Sequence, residues 1–148
     1  MKKLFIMTIL LGCLIIESNA QSQFKVITTI ESIVPGGIGR SRIIENGTEI
    51  DYAEFTTERV DGKKSNQGDV KRGDAKVDMF SETKMLNFYS LAGINFQNIA
   101  SNDALITSML DSLSKEGWEL FTVVSGVESD AGKSDGKGIF ITRYIFKK

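Results

Sequence analysis

The side chains that perform most protein chemistry are scarce in this chain. It has no histidine and a single cysteine, Cys13. Without histidine there is no imidazole general base, no imidazole metal ligand, and no Ser-His or Cys-His pair. Zinc sites of the usual kind need His or Cys. The stretch that most suggests a ligand is "IVPGGIGRSR", residues 33–42, where Gly37 and Gly39 lead into Arg40-Ser41-Arg42. Successive backbone N–H groups in a glycine turn can form an anion nest, and arginines add forked donors for a carboxylate or phosphate. Gly37, Gly39, Arg40, Ser41 and Arg42 are therefore the candidate ligand-binding residues, as an anion site. The alternative is that the arginines pair with acids of the middle of the chain. A nucleotide-binding P-loop fails on spacing. Setting Gly39-Arg40-Ser41 on the end of G-x-x-x-x-G-K-[ST] puts Val34 at the first glycine and Arg40 at the lysine. The residues after Ser41 also read as a strand, where that motif needs a helix.

Carboxylate chemistry remains, as in glycosidases. No spacing of acids singles out a pair, so no catalytic residue is assigned and an extracytoplasmic hydrolase is the weakest alternative. In "ESDAGKSDGKG" an EF-hand loop begun at Asp130 would put Gly132, Ser134 and Asp135 at its third, fifth and sixth positions. The loop needs acids at the alternating positions and glycine at the sixth, so no metal and no cofactor are expected. Asn46-Gly47-Thr48 matches a glycosylation sequon but is read as a turn. Phe80, Phe88, Tyr89 and Phe96 could line a groove, although such clusters are more often core.

The N-terminus sets the setting for any such chemistry. Lys2 and Lys3 precede an apolar run from Leu4 to Ile16, and Ser18-Asn19-Ala20 offers small residues for a signal peptidase. Residues 1–20 read as a secretory signal peptide, too short for a comfortable membrane span. The expectation is export, to the periplasm or beyond. Leu10-Leu11-Gly12-Cys13 also resembles a lipobox, which would instead leave a membrane-anchored lipoprotein through Cys13. Cleavage after Ala20 leaves no cysteine, and no membrane span is expected after the signal. It also leaves sixteen basic against eighteen acidic side chains, once Lys2, Lys3 and Glu17 are removed. That balance offers no basic face for nucleic acid.

Residues 21–148 are about one domain long. Residues 24–34 are rich in Val, Ile, Thr and Phe, apolar on both faces, and read as a central strand covered on both sides. Pro35-Gly36 fits a type II turn. Asn46-Gly47 predicts a tight hairpin joining strands at 42–45 and 48–53. Residues 58–84 interleave seven bases with six acids and read as a solvated excursion. A helix is expected over 102–116, capped by Ser101 or Asn102, with Leu105, Met109, Leu110 and Leu113 on its packed face. Gly117 is placed as its left-handed stop. Residues 118–127 and 138–146 predict a hairpin with a long polar tip. One helix cannot cover both faces of such a sheet. Residues 85–96 or a homodimer interface would have to cover the other.

The helix, the step Gly117-Trp118-Glu119-Leu120 and the closing strand "GIFITRYIFKK" resemble the domain of unknown function 4177 family. The resemblance implies an α+β domain, a small antiparallel sheet with one main helix packed on it, here with a long polar insertion. It brings no activity and no catalytic residues. Gly117, Trp118 and Leu120 are structural in this reading: the glycine ends the helix, and the other two reach the core. The resulting expectation is a non-enzymatic binding or interaction module of the bacterial envelope, partnered by a second copy or by another envelope protein.

Overall fold

Residues 24–32 do form the central strand, and everything else is arranged around it. The computed structural model describes residues 22–35, 40–128 and 138–148. Among the described residues, seven strands and one long helix run in the order β1 (Phe24–Ser32), β2 (Arg42–Asn46), β3 (Phe80–Lys84), β4 (Tyr89–Ser90), β5 (Gly93–Ile94), α1 (Phe96–Lys115), β6 (Glu119–Glu128) and β7 (Ile139–Lys147). The main sheet has the order β3-β2-β1-β7-β6, antiparallel throughout, while β4 and β5 form a separate two-stranded sheet. The architecture is α+β: a five-stranded antiparallel sheet, one main helix and a small hairpin.

Register decides which residues share a face, because paired residues point the same way and neighbours alternate. Lys25, Ile27, Thr29 and Glu31 of β1 pair with Phe146, Tyr144, Thr142 and Phe140 of β7. These face the helix. Ile27, Ile43, Met85, Leu113 and Phe146 form the buried apolar cluster, with Ile106, Met109, Leu110, Trp118 and Tyr144 packed against it. Each fully buried side chain of this size contributes ~1.5–3 kcal/mol.

Three sequence expectations need correction. The helix begins at Phe96, six residues before the expected start. Its cap is Asn95, whose side-chain oxygen accepts from the N–H groups of Gln97 and Asn98. Asn102 is a buried mid-helix residue instead of a cap. The tight hairpin at Asn46-Gly47 does not form. Asn46 bonds Thr48 in both directions, and the neighbour of β2 is β3, more than thirty residues on. Residues 48–53 carry Glu49 and Asp51, and Asp51 caps a 3-10 turn at Tyr52–Phe55, which takes that segment out of the sheet.

The third correction concerns coverage. Residues 85–96 pack on the same side of the sheet as the helix: Met85 joins the core and the Phe88 ring meets Phe140 at 5.6 Å. Among the described residues nothing covers the other face of the sheet, so β1 is sheltered on one side only. The chain returns to the helix side because Leu86 and Asn87 find their hydrogen-bond partners there.

Candidate functional site

The expected anion site begins at Ser41, and its side chain points inward. Ser41 Oγ accepts from Ser32 N at 2.9 Å and donates to Asn87 Oδ1 at 2.9 Å. The same Asn87 oxygen takes the N–H of Ser41 and of Arg40. Asn98 Nδ2 donates to Asn87 O at 2.8 Å, tying the corner to the first turn of α1. Ser32, Ser41 and Asn87 are all buried. Buried polar groups left unpaired are costly, so this network locks the exit of β1, the entry of β2 and the segment after β3 together. Arg42 reaches across the sheet edge to an ion pair with Glu82 of β3. Arg40 is exposed. Gly37 and Gly39 lie outside the described residues. The structure thus brings Ser41 and Arg42 into the fold's own bonding, with Arg42 paired to an acid of the middle of the chain.

A second polar cluster sits under the helix, where sequence reasoning placed only a cap. Asn102 is fully buried. Its Oδ1 accepts from Leu86 N at 2.9 Å, and its Nδ2 donates to Leu86 O at 2.8 Å and to Glu31 Oε1 at 3.1 Å. It therefore holds both backbone groups of Leu86, as a neighbouring strand would. Burial raises the pKa of Glu31 above the usual carboxylate value; the Asn102 bond opposes that rise and the nearby Asp103 adds to it. Burial also raises the Tyr144 phenol, and the Glu31 charge raises it further. Thr29 Oγ1 is buried on the same side of the sheet, where its interaction with the Tyr144 hydroxyl opposes that rise. A signal for Asn102 was present in the sequence. It lies four residues before Ile106, seven before Met109 and eleven before Leu113, squarely on the packed stripe.

The Gly117–Leu120 step closes the helix. Gly117 has φ +87°, Trp118 N donates to Leu113 O, and Gly117 N donates to Ser114 O, the bonding of a Schellman end. Lys148 Nζ takes the Glu116 carbonyl at 2.7 Å. Trp118 packs against the core, with the ammonium groups of Lys25 and Lys148 at 5.3 and 5.8 Å from its ring centroid. Leu120 lies beside Phe146 in register but remains 42% exposed. A groove of about 630 Å³ runs from Trp118 past Phe24 to Asn46 and Glu49.

The remaining surface is the open face of the sheet. It carries Phe24, Val26, Thr28 and Ile30 of β1; Ile139, Ile141, Arg143, Ile145 and Lys147 of β7; and Ile44 of β2. On β6 a bulge between Leu120 and Thr122 turns Phe121 to this side, where its ring meets Phe24 at 6.0 Å; Val124 follows. Phe24 is 61% exposed, Val26 44%, Phe121 57% and Val124 56%. Monomeric soluble proteins rarely leave a contiguous apolar area of this kind exposed. The sequence signal is the second apolar face of each strand; of the two covers expected for it, residues 85–96 pack on the helix side instead.

No family model, curated protein or solved structure matches the chain. Among the described residues no three His, Cys, Asp or Glu side chains are grouped to hold a metal, and no helix is long and apolar enough to cross a membrane.

Proposed function

We propose that this protein is an exported, non-enzymatic binding module whose working surface is the open face of its sheet. One observation carries the reading. An apolar surface spanning β1, β7 and β6 has no cover among the described residues, although β1 and β7 bury Ile27 and Phe146 on their opposite face under the helix. Export rests on the charged, then apolar, then small-residue order of residues 1–20, and the resemblance to the domain of unknown function 4177 family on the Gly117–Leu120 step. An environment-sensitive apolar dye tests the surface. It should bind the folded chain at high dilution, where any self-association is reversed, and Val26→Lys with Val124→Lys should abolish binding while leaving the melting temperature within a few degrees. Undiminished binding by that variant would place the working surface elsewhere. The intact mass of the mature protein tests export: a start at Gln21 is expected, and a lipidated Cys13 would mean an anchored form.

The anion reading of Gly37, Gly39, Arg40, Ser41 and Arg42 has a separate test. A melting shift with phosphate or a carboxylate, lost in Arg40→Ala and Arg42→Ala, would support it. No shift with any anion would end it.

A further inference from the structure

We infer that the occupant of the open sheet face is a second copy of this chain, packed face to face across a twofold axis. The inference rests on the reading of that face as the working surface. Three observations lead to it. The first is size. The five strands hold 9, 5, 5, 10 and 9 residues. At about 4.8 Å between strands and about 3.3 Å per residue, the sheet has a footprint of roughly 600 Å². Two such footprints give roughly 1,200 Å², the lower edge of the range that stable protein interfaces bury.

The second is shape. The surface is a broad sheet with a shallow depression of about 290 Å³ beside Val124, Gly126, Glu128, Ile141 and Arg143, and the groove of about 630 Å³ that Phe24 and Val26 help to line lies at the strand ends, toward Asn46 and Trp118, away from the middle of the face. A small ligand is held by a concave pocket, whereas another sheet packs on such a surface at about 10 Å with strands nearly aligned. The third is charge. Arg42, Lys84, Arg143 and Lys147 share the face with Glu82, Glu119 and Glu128. Glu82 and Glu119 are already paired, with Arg42 and Lys147 respectively. Arg143 and Glu128 enter no ion pair among the described residues, and the two lie on adjacent strands of the same face. A face carrying both signs can complement itself. A face of one sign would repel its copy. In an isologous interface each copy supplies Glu128 toward the other's Arg143.

The test is the mass of the full exported chain in solution, with a thiol probe at Val124→Cys. The expected result is twice the monomer mass at tens of micromolar, falling on dilution. The thiol should be slow to label when concentrated and fast when dilute. Val26→Lys with Val124→Lys should be monomeric. Arg143→Glu, at a position already charged and exposed, should raise the dissociation constant at least tenfold. A chain that is monomeric throughout, with a freely reactive thiol, overturns the second copy and leaves the open-face reading standing. A monomer with an unreactive thiol overturns both, because the chain then covers its own face. A dimer that survives the lysine and glutamate variants overturns the face-to-face packing in favour of another contact, such as the β6 edge.

Discussion

Replacing Asn102 by alanine should unfold this protein far more readily than the loss of one polar side chain suggests. The side chain is fully buried and makes three hydrogen bonds, two of them to the backbone of Leu86. Alanine leaves the Leu86 N–H and C=O without partners, at about 1–2 kcal/mol each where burial is partial, and removes about 1 kcal/mol with the Glu31 bond. Alanine's better helix propensity returns about 0.5 kcal/mol. The net loss is about 3 kcal/mol, against a total of about 5–15 kcal/mol for a domain. In urea the midpoint should fall by roughly 2 M with the slope unchanged. Asn102→Asp sharpens the test. At neutral pH its carboxylate cannot donate to Leu86 O and stands beside Glu31 and Asp103. Once protonated it regains a donor, so its deficit should shrink as pH falls toward 4. A loss below about 1 kcal/mol for the alanine variant, or a pH-independent deficit for the aspartate, would refute the clamp and mean that water satisfies Leu86.

Glu31→Gln should flatten the dependence of stability on pH. The folded chain holds the Glu31 proton more tightly than the unfolded chain, so this group favours folding below the usual carboxylate value of 4.5 and loses that contribution as pH rises through the elevated value. The glutamine variant should therefore be the more stable above that window, by less than about 1 kcal/mol because the site is half open to water. Chemical denaturation from pH 4 to 8 measures it. Gly117→Ala should cost about 1 kcal/mol, since φ +87° is strained for any residue with a Cβ; thermal unfolding reads the loss. Ser41→Ala should cost about 1–2 kcal/mol by orphaning the buried Ser32 N–H, whereas Arg42→Ala should cost less than about 1 kcal/mol, its ion pair with Glu82 being exposed. Equal costs in a denaturation series would contradict this account of the corner.

Local patterns determined much of the scaffold. The strand at 24–32, the closing strand pair and the helix stop at Gly117 follow from β-branched runs, from alternation and from a glycine placed after a packed stripe, all of which act over a few residues. The helix start did not follow, because a stripe with asparagines at 95, 98 and 102 looks polar until their partners are known. Asn95 caps, Asn98 holds Asn87 O and Asn102 holds Leu86. Those partners belong to a segment whose place in the fold no short window contains. The same holds for Ser41, which reads as part of a phosphate loop and is in fact buried against Asn87. The neighbour of β2 was likewise invisible, since Asn46-Gly47 is a hairpin signal wherever it occurs and only the sheet chooses Phe80–Lys84 as the partner strand. By itself, then, the sequence determined an α+β chain with strands apolar on two faces and no histidine for catalysis. Only the tertiary structure decided which face the helix and residues 85–96 would bury. That choice depends on where the polar backbone groups of a long connection find hydrogen bonds, and it leaves the opposite face open.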